Sequence, residues 1–125
     1  MKALLIVAHG SRREASNQEV RALTESVAAR CASDWQAVRC AFLELAPPSI
    51  PEALESLVRE GASEIVVVPW FLAAGRHVRE DIPAEVAKVA ADHPEVRIHI
   101  TPHLGRAQGL AEAVLGLVAA SSTLR

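Results

Sequence analysis

Aromatic residues make up only 3% of this 125-residue chain, and tyrosine is absent altogether. Little is therefore available for stacking on nucleobases. Thirteen Lys and Arg stand against fifteen Asp and Glu, a formal charge of −2, so there is no general basic field to hold nucleic acid. The two cysteines, Cys31 and Cys40, are too few for a disulfide framework or a zinc finger. Both lie in apolar periodic segments, where a free cysteine behaves as a small buried hydrophobe. No apolar run approaches the ~20 residues that cross a bilayer. The apolar stretch Ala3 to Ala8 leads into His9-Gly10-Ser11-Arg12-Arg13 and not into a small-residue cleavage site. It is therefore not read as a signal peptide, and the chain is expected in the cytoplasm. Also missing are a phosphate loop, a dinucleotide fingerprint, a Gly-x-Ser-x-Gly elbow and a Cys-x-x-Cys pair. Their absence turns the reading away from nucleotide chemistry, esterase-type catalysis and iron–sulfur clusters.

What is present is the material of one globular domain spanning 1–125, with half of its residues hydrophobic and 22% charged. A chain of this length buries enough surface to fold without staples. Two periods alternate along it. Lys2 to Ala8 is a nearly unbroken apolar run, the pattern of a strand buried on both faces. From Arg13 to Ser33 the apolar residues Val20, Leu23, Val27 and Cys31 recur at helical spacing. Trp35 to Leu45 reads as a second strand, stopped by Pro47-Pro48. Ser49-Ile50-Pro51-Glu52 carries a capping box with proline in the first turn, and opens a helix with Leu54, Leu57 and Val58 inward and Gly61 at its end. Glu64 to Trp70 is the strongest strand, followed by a loop from Phe71 to Arg79 and a helix from Asp81 to Asp92. Val96 to Thr101 predicts a fourth strand, and Arg106 to Ser121 a closing helix with Leu110, Val114 and Leu117 inward. Alternating units of this kind predict an α/β fold, a four-stranded parallel sheet flanked by helices, in the flavodoxin-like order 2-1-3-4.

In such a sheet ligands bind beyond the carboxyl ends of the strands, where the strand order switches direction. His9 follows the first strand and His77 follows the third, the two strands expected to neighbour at that point. Taken singly, each is a loop or cap histidine; as a pair at one edge they suggest a site, since imidazole is the commonest metal ligand and titrates near neutrality. Gly10 permits a tight turn, and Ser11 with the helix after it offers amide donors to an anion. His103, after the fourth strand, is a third imidazole at the same edge, whereas His93 at a helix end and His99 within a strand read as structural. Glu44 puts a carboxylate inside the apolar run Phe42-Leu43-Glu44-Leu45-Ala46. Either it emerges into solvent or pairs with an arginine, or it is an acid/base or metal-adjacent group. Glu80 and Asp81 read as helix caps. Arg12, Arg13, Arg76 and Arg79 flank both histidine loops, as solvated surface charge or as a rim for a polycarboxylate ligand.

Three blocks carry a family resemblance. They are His9-Gly10-Ser11-Arg12; Phe42-Leu43-Glu44-Leu45-Ala46 with Pro48-Ser49-Ile50-Pro51-Glu52-Ala53-Leu54; and Val67-Val68-Pro69-Trp70-Phe71-Leu72 leading to Gly75-Arg76-His77-Val78 and Asp81-Ile82-Pro83. Together they resemble the sirohydrochlorin chelatases, the small class II tetrapyrrole chelatases of cobalamin and sirohaem synthesis. The resemblance implies an enzyme that inserts a divalent metal into sirohydrochlorin without nucleotide. The metal is a substrate, Co²⁺ first, with Fe²⁺ and Ni²⁺ next. His9 and His77 would bind it, one of them also taking protons from the pyrroles, and Glu44 matches the family's acidic position. Ser11, Arg12 and Arg76 would meet the carboxylate-bearing macrocycle. Two departures stand out: Arg106-Ala107-Gln108 occupies the stretch where longer relatives carry a histidine, and Arg76 stands where a small residue is common. These leave metal preference and pocket shape open.

Longer members resemble two such units forming the walls of a cleft, so this chain is expected to form a homodimer that makes the cleft between copies. No nucleic-acid or membrane partner is expected. The competing readings are a carrier of metal or tetrapyrrole without catalysis, and an interaction domain with incidental histidines.

Overall fold

The structure is a computed structural model that describes residues 1–31 and 33–124. Its elements run β1 (Lys2–Ala8), α1 (Glu14–Arg30), β2 (Trp35–Phe42), α2 (Ile50–Arg59), β3 (Glu64–Pro69), α3 (Ile82–Asp92), β4 (Arg97–Ile100) and α4 (Leu110–Ala119). A π-helical turn, His77–Asp81, precedes α3, and a 3-10 turn, Leu104–Arg106, precedes α4. The four strands are parallel in the order β2-β1-β3-β4, as the alternation of periods predicts.

β1 lies at the centre because it can be buried on both faces. Its odd residues Ala3, Leu5 and Val7 are fully buried, and Ile6 and Ala8 on the other face are nearly so. The odd face joins Ala37 and Ala41 of β2, Ile65 and Val67 of β3, and the inner sides of α2 and α3 in one core. Leu54 and Leu57 of α2 and Ile82, Val86 and Val89 of α3 supply the helical half of that core. Each large aliphatic buried there stabilises the fold by about 1.5–3 kcal/mol relative to exposure. The start of α2 is set by a complete capping box. The Ser49 hydroxyl accepts from the Glu52 amide at 3.2 Å, and the Glu52 carboxylate accepts from the Ser49 amide at 2.8 Å. Such a cap contributes about 1 kcal/mol.

Several boundaries differ from the sequence reading. The helix expected over Arg13 to Ser33 ends at Arg30, with Cys31 already extended, and Ala32 lies outside the described residues. The deepest α1 side chains are polar, Asn17 and Thr24, while Leu23 is 44% exposed. The inward row is therefore Asn17, Val20, Thr24 and Val27, rotated from the apolar stripe because Asn17 is drawn in to bind backbone at the end of β1. Thr24 satisfies its hydroxyl on the Val20 carbonyl at 2.8 Å. The strand expected to reach Leu45 stops at Phe42, where the Phe42 amide turns to the Pro48 carbonyl at 2.9 Å and Leu45 takes φ +68. Cys31 and Cys40 are half-buried and unpaired, less deep than expected. The largest difference is α4. Val114 and Leu117, expected inward, are 54% and 73% exposed, and no residue of α4 is buried.

His93 and His99 are structural, as read. His99 Nε2 donates to Glu64 Oε2 at 3.1 Å across β3 and β4. At the end of α3, His93 Nε2 meets both carboxylate oxygens of Glu55 on α2, at 3.0 and 3.2 Å. That hydrogen bond to Glu55, outweighing the opposing effect of burial, holds the His93 pKa above its ordinary 6.5. A raised folded-state value means that the contact stabilises fully below the unfolded value and fades as pH rises through the folded one. His93→Gln is accordingly expected to lower the melting temperature more at pH 6 than at pH 8.5. Thermal unfolding of both proteins at the two pH values checks this, and an equal loss at both would remove the ion pair from the account.

Candidate active site

The site is built by carrying the hydrogen bonding of β1 past the formal ends of its neighbours. On one side the Leu43 amide donates to the Ala8 carbonyl at 2.9 Å and the Glu44 amide to the His9 carbonyl at 3.0 Å. On the other the Trp70 amide donates to the Val7 carbonyl at 2.8 Å. These bonds hold the segment after β2 and the segment after β3 against the turn that carries His9. Gly10 makes the close approach possible. It sits at φ +94, and a Cβ there would stand 1.8 Å from the Glu44 carbonyl oxygen. Both the backbone angle and the space therefore demand glycine.

His9 and His77 meet at this edge with ring centroids 4.8 Å apart and planes inclined at 60°. Each has its own carboxylate. His9 Nε2 lies 3.1 Å from Glu44 Oε1, and its Nδ1 lies 2.9 Å from the Gly10 carbonyl oxygen. The fixed carbonyl favours the Nδ1–H tautomer, so Nε2 either carries a proton for Glu44 or presents its lone pair when that carboxylate turns away. His77 Nδ1 lies 2.7 Å from Asp81 Oδ2. A proton on Nδ1 donated to Asp81 leaves the His77 Nε2 lone pair free. Both pairs are roughly half exposed, with histidine side chains at 42% and 41% and Glu44 and Asp81 at 54% and 37%. The Phe71 ring lies 6.3 Å from that of His77 between centroids, with the planes inclined at 40°.

Two expectations need correcting. Glu44 lies outside the strand that was expected to run to Leu45, and of the two alternatives for its side chain it takes the solvent-facing one. β2 ends two residues earlier, and Glu44 sits exposed in the following turn, which frees it to face His9. Asp81 is not a helix cap, since its side chain caps nothing. The segment read as loop to Arg79 is helical from His77 onward, so His77 and Asp81 fall one turn apart on the same side. Asp81 is the site residue that the sequence reading missed, and a His-x-x-x-Asp spacing running into a helix was the available signal. Glu80 faces Arg76 loosely at 3.8 Å, on the surface.

The remaining candidates lie around the pair. Ser11 follows Gly10, but its amide is taken by Asn17 Oδ1 at 2.9 Å and its hydroxyl accepts from the Arg13 amide at 3.0 Å. The Ser11 amide, anticipated as an anion donor, is thus already taken, while its hydroxyl keeps an O–H to donate. Asn17 also donates to the Ser11 carbonyl at 2.8 Å, so one buried amide holds the turn from both sides. Arg12, Arg13, Arg76 and Arg79 are exposed. His103 is half-buried and lines a separate recess with Val68, Thr101 and Leu104. Its loop reaches the site indirectly: the Gly105 amide donates to the Phe71 carbonyl at 3.0 Å, and a Cβ at Gly105 would stand 1.9 Å from the Leu72 carbonyl oxygen.

Among the described residues no group of three or more His, Cys, Asp or Glu side chains is arranged to hold a metal ion. Chemically, the edge offers two imidazoles within reach of one small ion and two carboxylates able to take or return protons. Such a set can engage a cation while leaving most of its coordination sphere to another molecule.

A family model described as CbiX matches residues 3–121. The chain belongs to the CbiX family. Within it, the chain is 37% identical over 113 residues to the sirohydrochlorin ferrochelatase of Bacillus subtilis, covering 90% of this chain and 42% of that protein. It is 41% identical over 83 residues to the sirohydrochlorin cobaltochelatase of Methanopyrus kandleri, covering 66% of this chain and 57% of that one. The chain thus spans about half the length of these CbiX relatives. In three dimensions it matches a putative cobalamin (vitamin B12) biosynthesis CbiX protein from Marinobacter aquaeolei with a TM-score of 0.82 at 30% identity, covering 96% of each chain.

The CbiX turn at Gly10 is open to a direct test. Gly10→Ala forces a left-handed alanine, which costs about 1–2 kcal/mol, and adds the clash with the Glu44 carbonyl. Chemical denaturation should show a loss beyond that figure, and a loss under 1 kcal/mol would mean that the turn is not held as described.

Proposed function

We propose that this chain inserts a divalent metal ion into sirohydrochlorin, without nucleotide, in cobalamin or sirohaem synthesis. The observation that carries the reading is the pair of imidazoles 4.8 Å apart at the switch point of the sheet, each backed by its own carboxylate, in a chain of the CbiX family. Co²⁺ is the first candidate metal, with Fe²⁺ and Ni²⁺ next. Relatives named for iron and for cobalt support both of the first two, and imidazole with carboxylate does not separate them by affinity.

Insertion exchanges one M²⁺ for two pyrrole N–H protons. The site has to hold the ion weakly enough to release it and to receive both protons. His77 offers Nε2 to the metal, with Asp81 fixing its tautomer and ring orientation, as outer carboxylates do for metal-bound imidazoles. His9 offers the second nitrogen. A metal there displaces Glu44 from Nε2, any shared proton passing to solvent; the freed carboxylate is positioned to take one pyrrole proton, and His9 Nε2 takes the other once the ion has passed to the macrocycle. With only two protein nitrogens, the ion keeps open positions that the four macrocycle nitrogens fill as it leaves. The exposed Arg12 and Arg76, with Ser11 at the turn, serve the carboxylates around the macrocycle.

One sheet edge covers one face of a flat macrocycle, whereas small-ligand sites bury most of their ligand. The second wall is supplied by a second copy, which fits a chain whose match covers 42% of the Bacillus subtilis relative. Static light scattering at micromolar concentration is expected to give twice the 13.4 kDa chain mass, and a monomer would withdraw the two-walled cleft.

The activity test follows the absorption of sirohydrochlorin with Co²⁺, Fe²⁺ or Ni²⁺ against the protein-free rate. Turnover is expected with at least one metal, with His9→Ala and His77→Ala losing most of it. Asp81→Asn should weaken metal binding 10- to 100-fold while the protein stays folded. Macrocycle bound without acceleration would favour a carrier over an enzyme.

A further inference from the structure

The turn that carries Glu44 is a closed loop. Its ends meet where the Phe42 amide donates to the Pro48 carbonyl at 2.9 Å, and Leu45 at φ +68 reverses the chain between them. Main-chain bonds from Leu43 and Glu44 moor the near arm to the end of β1. Ala46 and Pro47, on the far arm, make no main-chain bond to β1. A carboxylate that has to leave His9 and still meet a pyrrole proton needs both arms held.

Arg21, from the middle of α1, holds the far arm. Its Nη2 donates to the Pro47 carbonyl at 3.3 Å, and its guanidinium lies 5.3 Å from the centroid of the buried Phe42 ring. One side chain thus touches the residue where the loop leaves β2 and the carbonyl just before it closes. The other nitrogen, Nη1, donates to Glu14 Oε1. Glu14 Oε2 in turn accepts from Asn17 Nδ2 at 3.5 Å, and Asn17 binds both main-chain groups of Ser11. Glu14, Asn17 and Arg21 stand at i, i+3 and i+7, one stripe of α1. Asn17 grips the turn that carries His9, Arg21 grips the turn that carries Glu44, and Glu14 joins the two. The hydrogen bond from Arg21, then that from Asn17, holds the Glu14 carboxyl below its ordinary range, so the joint stays charged at neutral pH.

From this series of contacts we infer that Arg21 is the positioning residue of Glu44. It holds the loop so that the carboxylate, once displaced from His9 by the metal, stays within reach of a pyrrole proton. Arg21 is no ligand of the ion and acts through Glu44 alone. Its fork matters, because Nη1 and Nη2 serve Glu14 and Pro47 at the same time, which the single nitrogen of a lysine does not. The inference deepens the chelatase reading above and rests on it for the reaction step.

The test compares Arg21→Met, Arg21→Lys and Glu44→Gln, with Arg39→Lys as a control, since Arg39 makes a similar fork to Glu60 away from the site. Turnover of sirohydrochlorin is followed with the metal that the parent inserts fastest, and binding of that metal is titrated separately without the macrocycle. Both Arg21 variants should lose roughly 10- to 100-fold in kcat, as a misplaced group does, with KM and metal affinity within about twofold of the parent. The control should match the parent. In the Glu44→Gln background Arg21→Met should cost nothing further, because a residue that acts through Glu44 then has nothing to position. Losses that multiply, or metal affinity that falls along with kcat, would overturn the inference. A second measurement needs no turnover. In Arg21→Met the amides of Leu43 and Glu44 should exchange hydrogen roughly 10-fold faster, with those of Leu5 and Val67 in the core unchanged. Unchanged protection at Leu43 and Glu44, or faster exchange throughout the sheet, would also overturn it. A parent that inserts no metal would overturn the chelatase reading, and hydrogen exchange would then decide by itself whether Arg21 holds the loop.

Discussion

The arrangement depends on the backbone pairing of β1 with both of its neighbours beyond the point where the strands formally end. Amides of Leu43 and Glu44 reach the carbonyls of Ala8 and His9 from one side, and the amide of Trp70 reaches Val7 from the other. Side chains at the tips of three separate segments are thereby brought to one place by main-chain bonds, whose geometry is much stiffer than that of surface side chains. The approach is so tight at Gly10 that no β-carbon fits. Everything functional at this edge inherits its position from that ladder.

The chemistry then rests on two parallel pairings of imidazole with carboxylate. They are not equivalent. Asp81 lies one helical turn from His77 on the same element, so its hold on Nδ1 is local and persistent. Glu44 reaches His9 from a different segment and is the more exposed carboxylate, so it is the one free to change partner. A fixed pair beside an adjustable one suits a site that has both to orient a ligand atom and to move protons. Buried support comes from Asn17, a polar residue inside α1 whose amide binds both backbone groups of Ser11 and so braces the turn next to His9. Its burial displaces the apolar stripe of α1, which shows local helix pattern giving way to the site.

The amphipathic logic that organises one face of the sheet is left unfinished on the other. α2 and α3 seal the face that carries Ala3, Leu5 and Val7, while α1 covers only part of the opposite one. No residue of α4 is buried, and half-exposed Val66 and Val68 belong to the same deficit. Burying large apolar side chains is the main favourable term in folding, so this deficit is where association has most to gain.

The alternation of buried runs and amphipathic stretches, the capping box at Ser49 and Glu52, and the punctuation at Pro47, Pro48 and Gly61 were legible in the sequence, because each is a local property of a few neighbouring residues. From them the strand order follows through chain connectivity. His9, His77 and Glu44 could be named for the same reason: each follows a recognisable strand. Only the tertiary structure decided that Glu44 leaves its strand to face His9, and that Asp81 serves His77 instead of capping α3. It also decided that Asn17 outranks Leu23 in the α1 interior and that none of the residues of α4 is buried. Those outcomes turn on contacts between residues far apart in sequence and on a π-helical turn with no distinctive composition. Local propensity carries no information about which distant group will be within three ångströms.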